Sequence, residues 1–304
     1  MTFVSTRASY DRFNLDMGRL RGEADALRRA IASGERLERG SQDPVAAARL
    51  RSLASSQATA EVDQANAQRA SADLTLADKA LDGFAERIMR VKELAAQAAN
   101  GTLNPQQRVG ISAEIKQIFS ELVSLANASD SSGHALFGGQ ATGAAYVLDA
   151  AGNAVYAGTA SAAELSLGEV QGVTRGVTGP DFLNFTVAGA PTTLLAVVKG
   201  LGDALGGAAA DPAQAARDAL TALDVGLEAV TTQQTVIGAR LNWIELSSDR
   251  LVHKSELRAE EQTAVGGTDL TQAVSRLQQT MTVLEATQAS FARLSSLSLF
   301  SFLR

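Results

Sequence analysis

The chain has 304 residues, of which 20% are charged, and its formal net charge is −6. This length allows a sizeable core, and the acidic balance argues against nucleic acid as a partner. Cysteine is absent, which excludes disulfides and thiolate metal sites. No stretch reaches the ~20 apolar residues of a membrane span, and the first twelve residues lack the apolar segment of a classical signal peptide. We therefore expect no membrane insertion, and either a cytosolic location or export without a cleaved signal.

Residues 1–33 predict a helix whose apolar residues recur at sevenfold spacing. Two rows, three residues apart, carry this pattern, and arginines and carboxylates occupy many other positions. The rows consist of Phe3, Tyr10, Met17, Ala24 and Ile31, and of Phe13, Leu20 and Leu27. The spacing is typical of a helix that packs along its whole length against a partner helix.

Residues 268–304 predict a second heptad helix. Its rows, with the apolar residues of the tail, consist of Leu270, Leu277, Leu284 and Phe291, of Val274 and Met281, and of Leu297, Leu299 and Phe300. The simplest arrangement packs this last helix against the first one. Because a lone pair of helices has little core, we expect these residues of both ends to form an assembly surface that neighbours complete.

The stretch "SGERLERGSQDPVAAARL", Ser33 to Leu50, interrupts the helical pattern. Gly34 and Gly40 allow the chain to leave the first helix, and Asp43 followed by Pro44 is a strong start signal for the next. We interpret residues 34–44 as a joint between two layers of structure, with no need for a ligand.

The middle of the chain predicts a helical domain in two parts, 45–130 and 192–264, with further helix starts at Asn104-Pro105 and Asp211-Pro212. Between them, residues 131–191 read as a β-rich insertion with turns, since 15 of the 26 glycines lie within 131–210. The predicted fold class is mainly α, with long antiparallel helices in a nested coiled-coil bundle and a β-rich central insertion.

No catalytic, cofactor-binding or metal-binding residue is predicted. The only histidines, His134 and His253, lie far apart and fit a turn and a solvated helix face better than a metal site. The glycine-rich "SSGHALFGGQATG" lacks the residues that cradle a phosphate. We therefore expect neither an enzyme nor a small-molecule substrate.

Four local motifs in this order resemble the flagellin-like axial proteins of the bacterial flagellum, and within them the hook–filament junction group. "SGERLERGSQDPVAAARL" is similar to the "SGKR…PSDDPxAA" stretch of that group, whereas flagellins tend toward "DDAAGLAI". "LANASDSSGHALFGG" is similar to "LANT…GxYxFaG", with His134 to Leu136 in place of the usual aromatic. "VIGARLNWIEL" and the closing "LSLFSFL" complete the resemblance, which covers roughly 1–139 and 211–304.

The resemblance implies a structural role at the junction between hook and filament. The implied partners are the hook-side junction protein, flagellin, further copies of the chain in a helical array, and an export chaperone that binds the C-terminal heptads in the cytoplasm. It also implies export through the flagellar type III apparatus to an extracellular location. The terminal helices would be disordered in the free chain and would pair on assembly.

Two other functions stay open from the sequence. Flagellin itself has the same architecture, and spontaneous polymerisation of the pure protein would favour it. A cytosolic coiled-coil interaction protein unrelated to flagella is the third possibility, and protease-resistant termini in the monomer would favour that class.

Overall fold

The computed structural model describes residues 3–100, 103–130, 132–168 and 172–300; for 3–7, 9 and 294–300 it describes the backbone alone. The chain divides into two compact units. The first unit consists of the described parts of Met1–Thr59 and His253–Arg304, and the second lies within Ala60–Val252. The two ends of the chain therefore share one unit, as a nested arrangement requires.

Seven α-helices and six strands make up the described part of the chain. The helices are α1 (Phe3–Ser33), α2 (Pro44–Ala99), α3 (Pro105–Ala126), α4 (Pro180–Leu183), α5 (Leu194–Asp203), α6 (Pro212–Gly266) and α7 (Leu270–Phe300), with a π-helical turn at Ala204–Ala208. The strands are β1 (Tyr146–Leu148), β2 (Ala154–Tyr156), β3 (Glu164–Ser166), β4 (Gly172–Thr174), β5 (Asn184–Val187) and β6 (Ala190–Thr193).

The starts of α2, α3 and α6 follow from side-chain caps. The Asp43 and Asp211 carboxylates accept hydrogen bonds from the backbone of Ala46 and Gln214, each at 3.0 Å. Asn104 and Gln107 form a reciprocal capping box, with distances of 2.8 and 3.0 Å. Each cap is followed by proline at the first helical position, where its missing N–H has no cost. The three helices thus begin where the three dipeptides predict.

The insertion consists of three separate antiparallel hairpins, β1–β2, β3–β4 and β5–β6. No larger sheet forms among the described strands, so these short hairpins depend on packing against the helices for their stability. The fold class predicted from the sequence is confirmed: long helices with a small strand-containing insertion. No helix in the described ranges combines the length and apolar character that crossing a membrane requires.

The core of the second unit centres on three fully buried phenylalanines. Phe84 from α2 packs edge-on against Phe182 from α4, with ring centroids 5.3 Å apart, and Phe137 lies 5.0 Å from Phe182. Leucines and isoleucines of α2, α3, α5 and α6 surround these rings. The core therefore joins the helices to the insertion within this unit.

One arginine links a hairpin to the helices by two ion pairs. Arg175, just after β4, donates to Asp73 on α2 at 2.5 Å and to Asp130, after α3, at 2.9 Å. Both carboxylates are buried, and Asp130 also accepts the backbone N–H groups of Ser132 and His134. Burial alone would raise the pKa of Asp130, but the two amides, His134 and Arg175 lower it overall.

Candidate assembly site

Helices α1 and α7 pack against each other as an antiparallel pair within the first unit. Along α1 the interior positions follow the predicted heptad rows. Their members are at least half-buried: Phe13, Met17, Leu20, Ala24, Leu27 and Ile31. The spacing of four and three residues between them is that of a coiled-coil seam, here the residues through which one helix packs on the other.

One of the two rows of the α7 seam is shifted by one position along the chain relative to the sequence prediction. The row of Leu277, Leu284 and Phe291 faces inward as predicted. The second row does not contain Val274, which is 41% exposed; it consists of Ala273, Thr280 and Thr287. Small side chains let two helices approach closely, and this preference leaves no signal in a pattern of large apolar residues.

Three aromatic rings pack together in the part of the helix pair that lies away from the joint. Phe13 stacks on Phe291, with ring centroids 4.1 Å apart and planes inclined by 12°, and Tyr10 lies 5.0 Å from the same ring. Pairs of aromatic rings stabilise a structure by more than the burial of their apolar area alone. Tyr10 nevertheless remains 52% exposed, so its contact with Phe291 leaves half of its surface in water.

The joint is a two-stranded connection that the sequence did not predict. Glu35 pairs with Gly267 in an isolated antiparallel bridge, with hydrogen bonds from Arg36 N to Gly266 O (2.8 Å) and from Thr268 N to Gly34 O (2.9 Å). Gly34 adopts a φ of +73°, which a side chain would strain. The chain segments that leave α1 and enter α7 are thus hydrogen-bonded to each other.

Arg36 connects both segments of the joint through its side chain. Its guanidinium donates to the Val265 carbonyl at 3.0 Å and to the Asp43 carboxylate at 3.4 Å. The first contact places a cation at the C-terminal end of α6, where the helix dipole favours it. Asp43 therefore both caps α2 and holds Arg36, while Asp269 caps α7 through the Gln272 amide at 3.0 Å.

We expect Gly267→Ala to destabilise the first unit by about 1–3 kcal/mol, because an added methyl group must displace backbone. A Cβ at this position would lie 2.4 Å from the Thr263 carbonyl oxygen. Gly22→Ala on α1 is the matched control: nothing lies within 4 Å of its Cβ, and alanine favours helix. Urea unfolding, followed by far-ultraviolet circular dichroism, measures the free energy of unfolding of both variants. Equal stability of the two variants would contradict this role of Gly267.

Asp43 gives the joint a pH dependence. The hydrogen bond from the Ala46 amide is the largest effect on the pKa of this carboxyl and lowers it; burial raises the pKa, and the Arg36 guanidinium adds to the lowering, so the pKa lies below its ordinary value of 3.8. Because the pKa of Asp43 is lower in the folded state than in the unfolded chain, its ionised form stabilises the folded state at pH values above the pKa of the unfolded chain. This stabilisation is lost as the pH falls through the pKa of the folded state. Asp43→Asn keeps a capping side chain without a titrating group. Its stability should therefore fall less than that of the native chain between pH 7 and pH 2, and an identical fall would contradict the assignment.

The structure brings together most of the residues predicted for assembly and for the joint. Leu270 begins α7 and is exposed, and Met281 is half-buried with its sulfur 3.6 Å from Arg28 Nη2. The side chains of Phe3, Leu297, Leu299 and Phe300 lie outside the described residues. Sequence reasoning missed Ala273, Thr280, Arg36 and Gly267; for Gly267, the Gly-Gly dipeptide opposite Gly34 was the available signal.

Both terminal helices are formed and paired in this single chain. The expectation from the resemblance, that these helices are disordered in the free chain and pair on assembly, stays a prediction. The interior positions of α1, spaced by four and three residues, form a continuous stripe of buried or half-buried side chains, and this stripe is the physical reason for pairing.

The two histidines have the surroundings expected from the sequence. His134 lies in a turn beside Asp130 with its side chain 54% exposed, and His253 lies on the exposed face of α6. Within the described ranges, no group of three or more His, Cys, Asp or Glu residues could hold a metal ion.

Comparison with known proteins agrees with this architecture. Residues 4–142 match the family model described as the bacterial flagellin N-terminal helical region. The chain is 26% identical over 292 residues to the flagellar hook-associated protein 3 of Escherichia coli (strain K12), covering 89% of this chain and 90% of the relative. It is 29% identical over 144 residues to the Salmonella typhimurium (strain LT2) protein of the same name, covering 47% of this chain and only 45% of the relative.

A solved structure described as a flagellar hook-associated protein from Vibrio parahaemolyticus has the same fold. Its TM-score is 0.68 at 22% identity, and the match covers 74% of this chain and 100% of the other. Over residues 4–142 the chain is thus similar to the flagellin-like proteins. It is also similar to flagellar hook-associated protein 3, as its sequence motifs predict.

Proposed function

We propose that the protein is a structural subunit of the bacterial flagellum at the junction between hook and filament. The observation that carries this proposal is the helix pair of α1 and α7, which leaves large apolar side chains in water on its outer faces. Leu15 is 74% exposed, Leu270 52%, Val283 44% and Val274 41%. Large apolar side chains on the outside of a helix pair suit a surface that other subunits cover.

The role proposed for this pair is to pack against further copies of the chain in a helical array. An open array needs a heterologous interface, in which one face of a subunit meets a different face of the next. The further partners that we propose are the hook-side junction protein and flagellin, and the names of the curated relatives support this.

We further propose an extracellular location in the flagellum, export through the flagellar type III apparatus, and an export chaperone that binds α7 in the cytoplasm. The apolar residues of α7 that α1 leaves exposed support this proposal, because they offer a surface to which a chaperone could bind. The proposal includes a role without catalysis, and the name of both curated relatives, flagellar hook-associated protein 3, supports it.

Flagellin remains the alternative of the same architecture. Both curated relatives carry the hook-associated name, and this favours the junction. Long filaments formed spontaneously by the purified protein would favour flagellin over the junction protein.

The test of the assembly surface uses substitutions that spare the fold of the monomer. Leu15→Asp and Leu270→Asp change exposed side chains, so each monomer should keep its stability within about 0.5 kcal/mol. Incorporation into flagella should fall at least about tenfold, because a carboxylate would be buried between subunits. Val147→Asp, 48% exposed on β1, is the matched control and should incorporate normally. Normal incorporation of Leu15→Asp and Leu270→Asp would remove this surface from the proposal.

A further inference from the structure

The last part of α6, residues 244–266, carries its charged side chains in two rows, with Glu261 as the one exception. The basic row consists of Arg250, Lys254 and Arg258, and the acidic row of Glu245, Asp249, Glu256 and Glu260. At 100° per residue, the basic row lies about 40–120° to one side of buried Ile244, and the acidic row about 100–160° to the other side. The two rows are therefore on opposite sides of the same helix.

Both rows are accessible to another protein. Arg258 is half-buried, and the other six side chains of the rows are exposed. Among the described residues, the ion pairs of this part of α6 join Arg49 to Glu261 at 2.6 Å and His253 to Glu256 at 3.7 Å. The first pair neutralises Glu261, which lies beside the basic row. The basic row itself takes part in neither ion pair, so its positive charge is not balanced by a carboxylate within the described chain.

The separation of the charges is unfavourable for α6 by itself. Arg250, Lys254 and Arg258 follow one another at intervals of four residues, and Glu256 and Glu260 have the same spacing. Like charges at this spacing destabilise a helix, whereas opposite charges at this spacing stabilise it. A helix face that only water covers gains nothing from such rows. The arrangement therefore suits partners of opposite charge outside the chain.

Each row has a large exposed apolar side chain next to it. Leu257, 51% exposed, lies about 20° around the helix from Arg250 in the basic row. Val252, 49% exposed, lies about 20° from Glu245 in the acidic row. Protein interfaces combine apolar contacts with polar and charged groups at their rim. Both sides of α6 thus offer the two kinds of surface that a protein partner needs.

We infer that the basic row of α6 in one copy of the chain binds the acidic row of α6 in the next copy. The charge complementarity of the two rows carries this inference. It rests on the proposed function, because an array of subunits is where such copies meet. Neither row belongs to α1 or α7, so the contact is separate from the assembly surface of the terminal helices.

A second copy is the partner that the two rows favour. Each copy carries one row of each sign, so a single kind of contact satisfies both rows and repeats from one subunit to the next. Because the rows lie on opposite sides of the helix, the contact joins two different faces and generates an open array instead of a closed dimer. Complementary rows also select the partner and its register, since like charges in contact are strongly unfavourable.

Exchange of the charges between the two rows tests this contact in flagellated cells that carry each variant as the only copy of the gene. The first variant combines Arg250→Glu with Lys254→Glu, the second combines Glu256→Lys with Glu260→Lys, and the third carries all four changes. The control combines Arg69→Glu with Lys79→Glu, which makes the same charge change at exposed positions of α2. Far-ultraviolet circular dichroism of the purified chains should show native helix content in every variant, because the changed side chains are exposed.

We expect incorporation of the first and second variants into flagella to fall at least about tenfold, because like charges would meet between copies. The third variant should return to within about threefold of the native chain, since its rows are again complementary, and the control should incorporate normally. Normal incorporation of the first two variants would overturn the inference. Failure of the third variant to recover would also overturn it, because the rows would then face a different protein. Absence of the native chain itself from flagella would contradict the proposed function, and the inference with it.

Discussion

Leu284→Asp is expected to separate α1 from α7 and to abolish incorporation into the flagellum. Leu284 is 8% exposed in the middle of the seam, and Leu277 and Phe291, one heptad before and after it, are also at least half-buried. The substitution removes a buried apolar side chain and places a carboxylate in the same position, at a cost of about 3–5 kcal/mol. A helix pair with a single seam cannot absorb this loss.

The experiment reads the two units separately. Far-ultraviolet circular dichroism should show the loss of helix from α1 and α7, whereas the fluorescence of Trp243, the only tryptophan, reports the second unit and should not change. Leu20→Asp on α1 should act in the same way. Ala286→Asp, two residues away on the exposed face of α7, is the control for an added charge. Native helix content and normal incorporation of Leu284→Asp would contradict the role of the seam.

Arg175→Met is expected to destabilise the second unit by about 3–5 kcal/mol, because removal of one partner leaves a charge that is buried without compensation. Asp73 and Asp130 would both lose the guanidinium, and their side chains are only 9% and 5% exposed. Asp130 keeps its two backbone donors, so Asp73 should account for most of the loss. Urea unfolding followed by Trp243 fluorescence measures the change.

Two variants identify the cause of that loss. Arg250→Met removes an exposed arginine from the same unit and should change the stability by less than about 0.5 kcal/mol. Adding Asp73→Asn and Asp130→Asn to Arg175→Met removes the uncompensated charges and should restore part of the stability. If this triple variant were no more stable than Arg175→Met alone, packing rather than charge would explain the effect.

The parts of this fold that depend on local chemistry could be predicted from the sequence. Asp43, Asn104 and Asp211 each precede a proline, and each caps a helix as a short-range hydrogen bond requires. The rows of α1 were also predictable, because large apolar residues fill its interior positions at regular spacing, with Ala24 as the one small residue.

The parts that depend on close approach between distant segments could not be predicted. The second row of α7 consists of alanine and threonines, which carry little hydrophobic signal, while Val274 and Met281 beside them carry more. The bridge of Glu35 to Gly267 joins residues more than two hundred positions apart, and the contacts of Arg36 depend on it. Backbone pairing of this kind leaves no periodic pattern in the sequence.

Deletion of the gene, followed by measurement of flagellin on the cells and in the medium, tests the proposed junction role most directly. We predict that the cells keep their hooks and release flagellin as monomer into the medium, since filament subunits would have nothing to attach to. The native gene should restore filaments, and the gene carrying Leu284→Asp should not. Normal filaments and normal motility in the deletion strain would contradict the account.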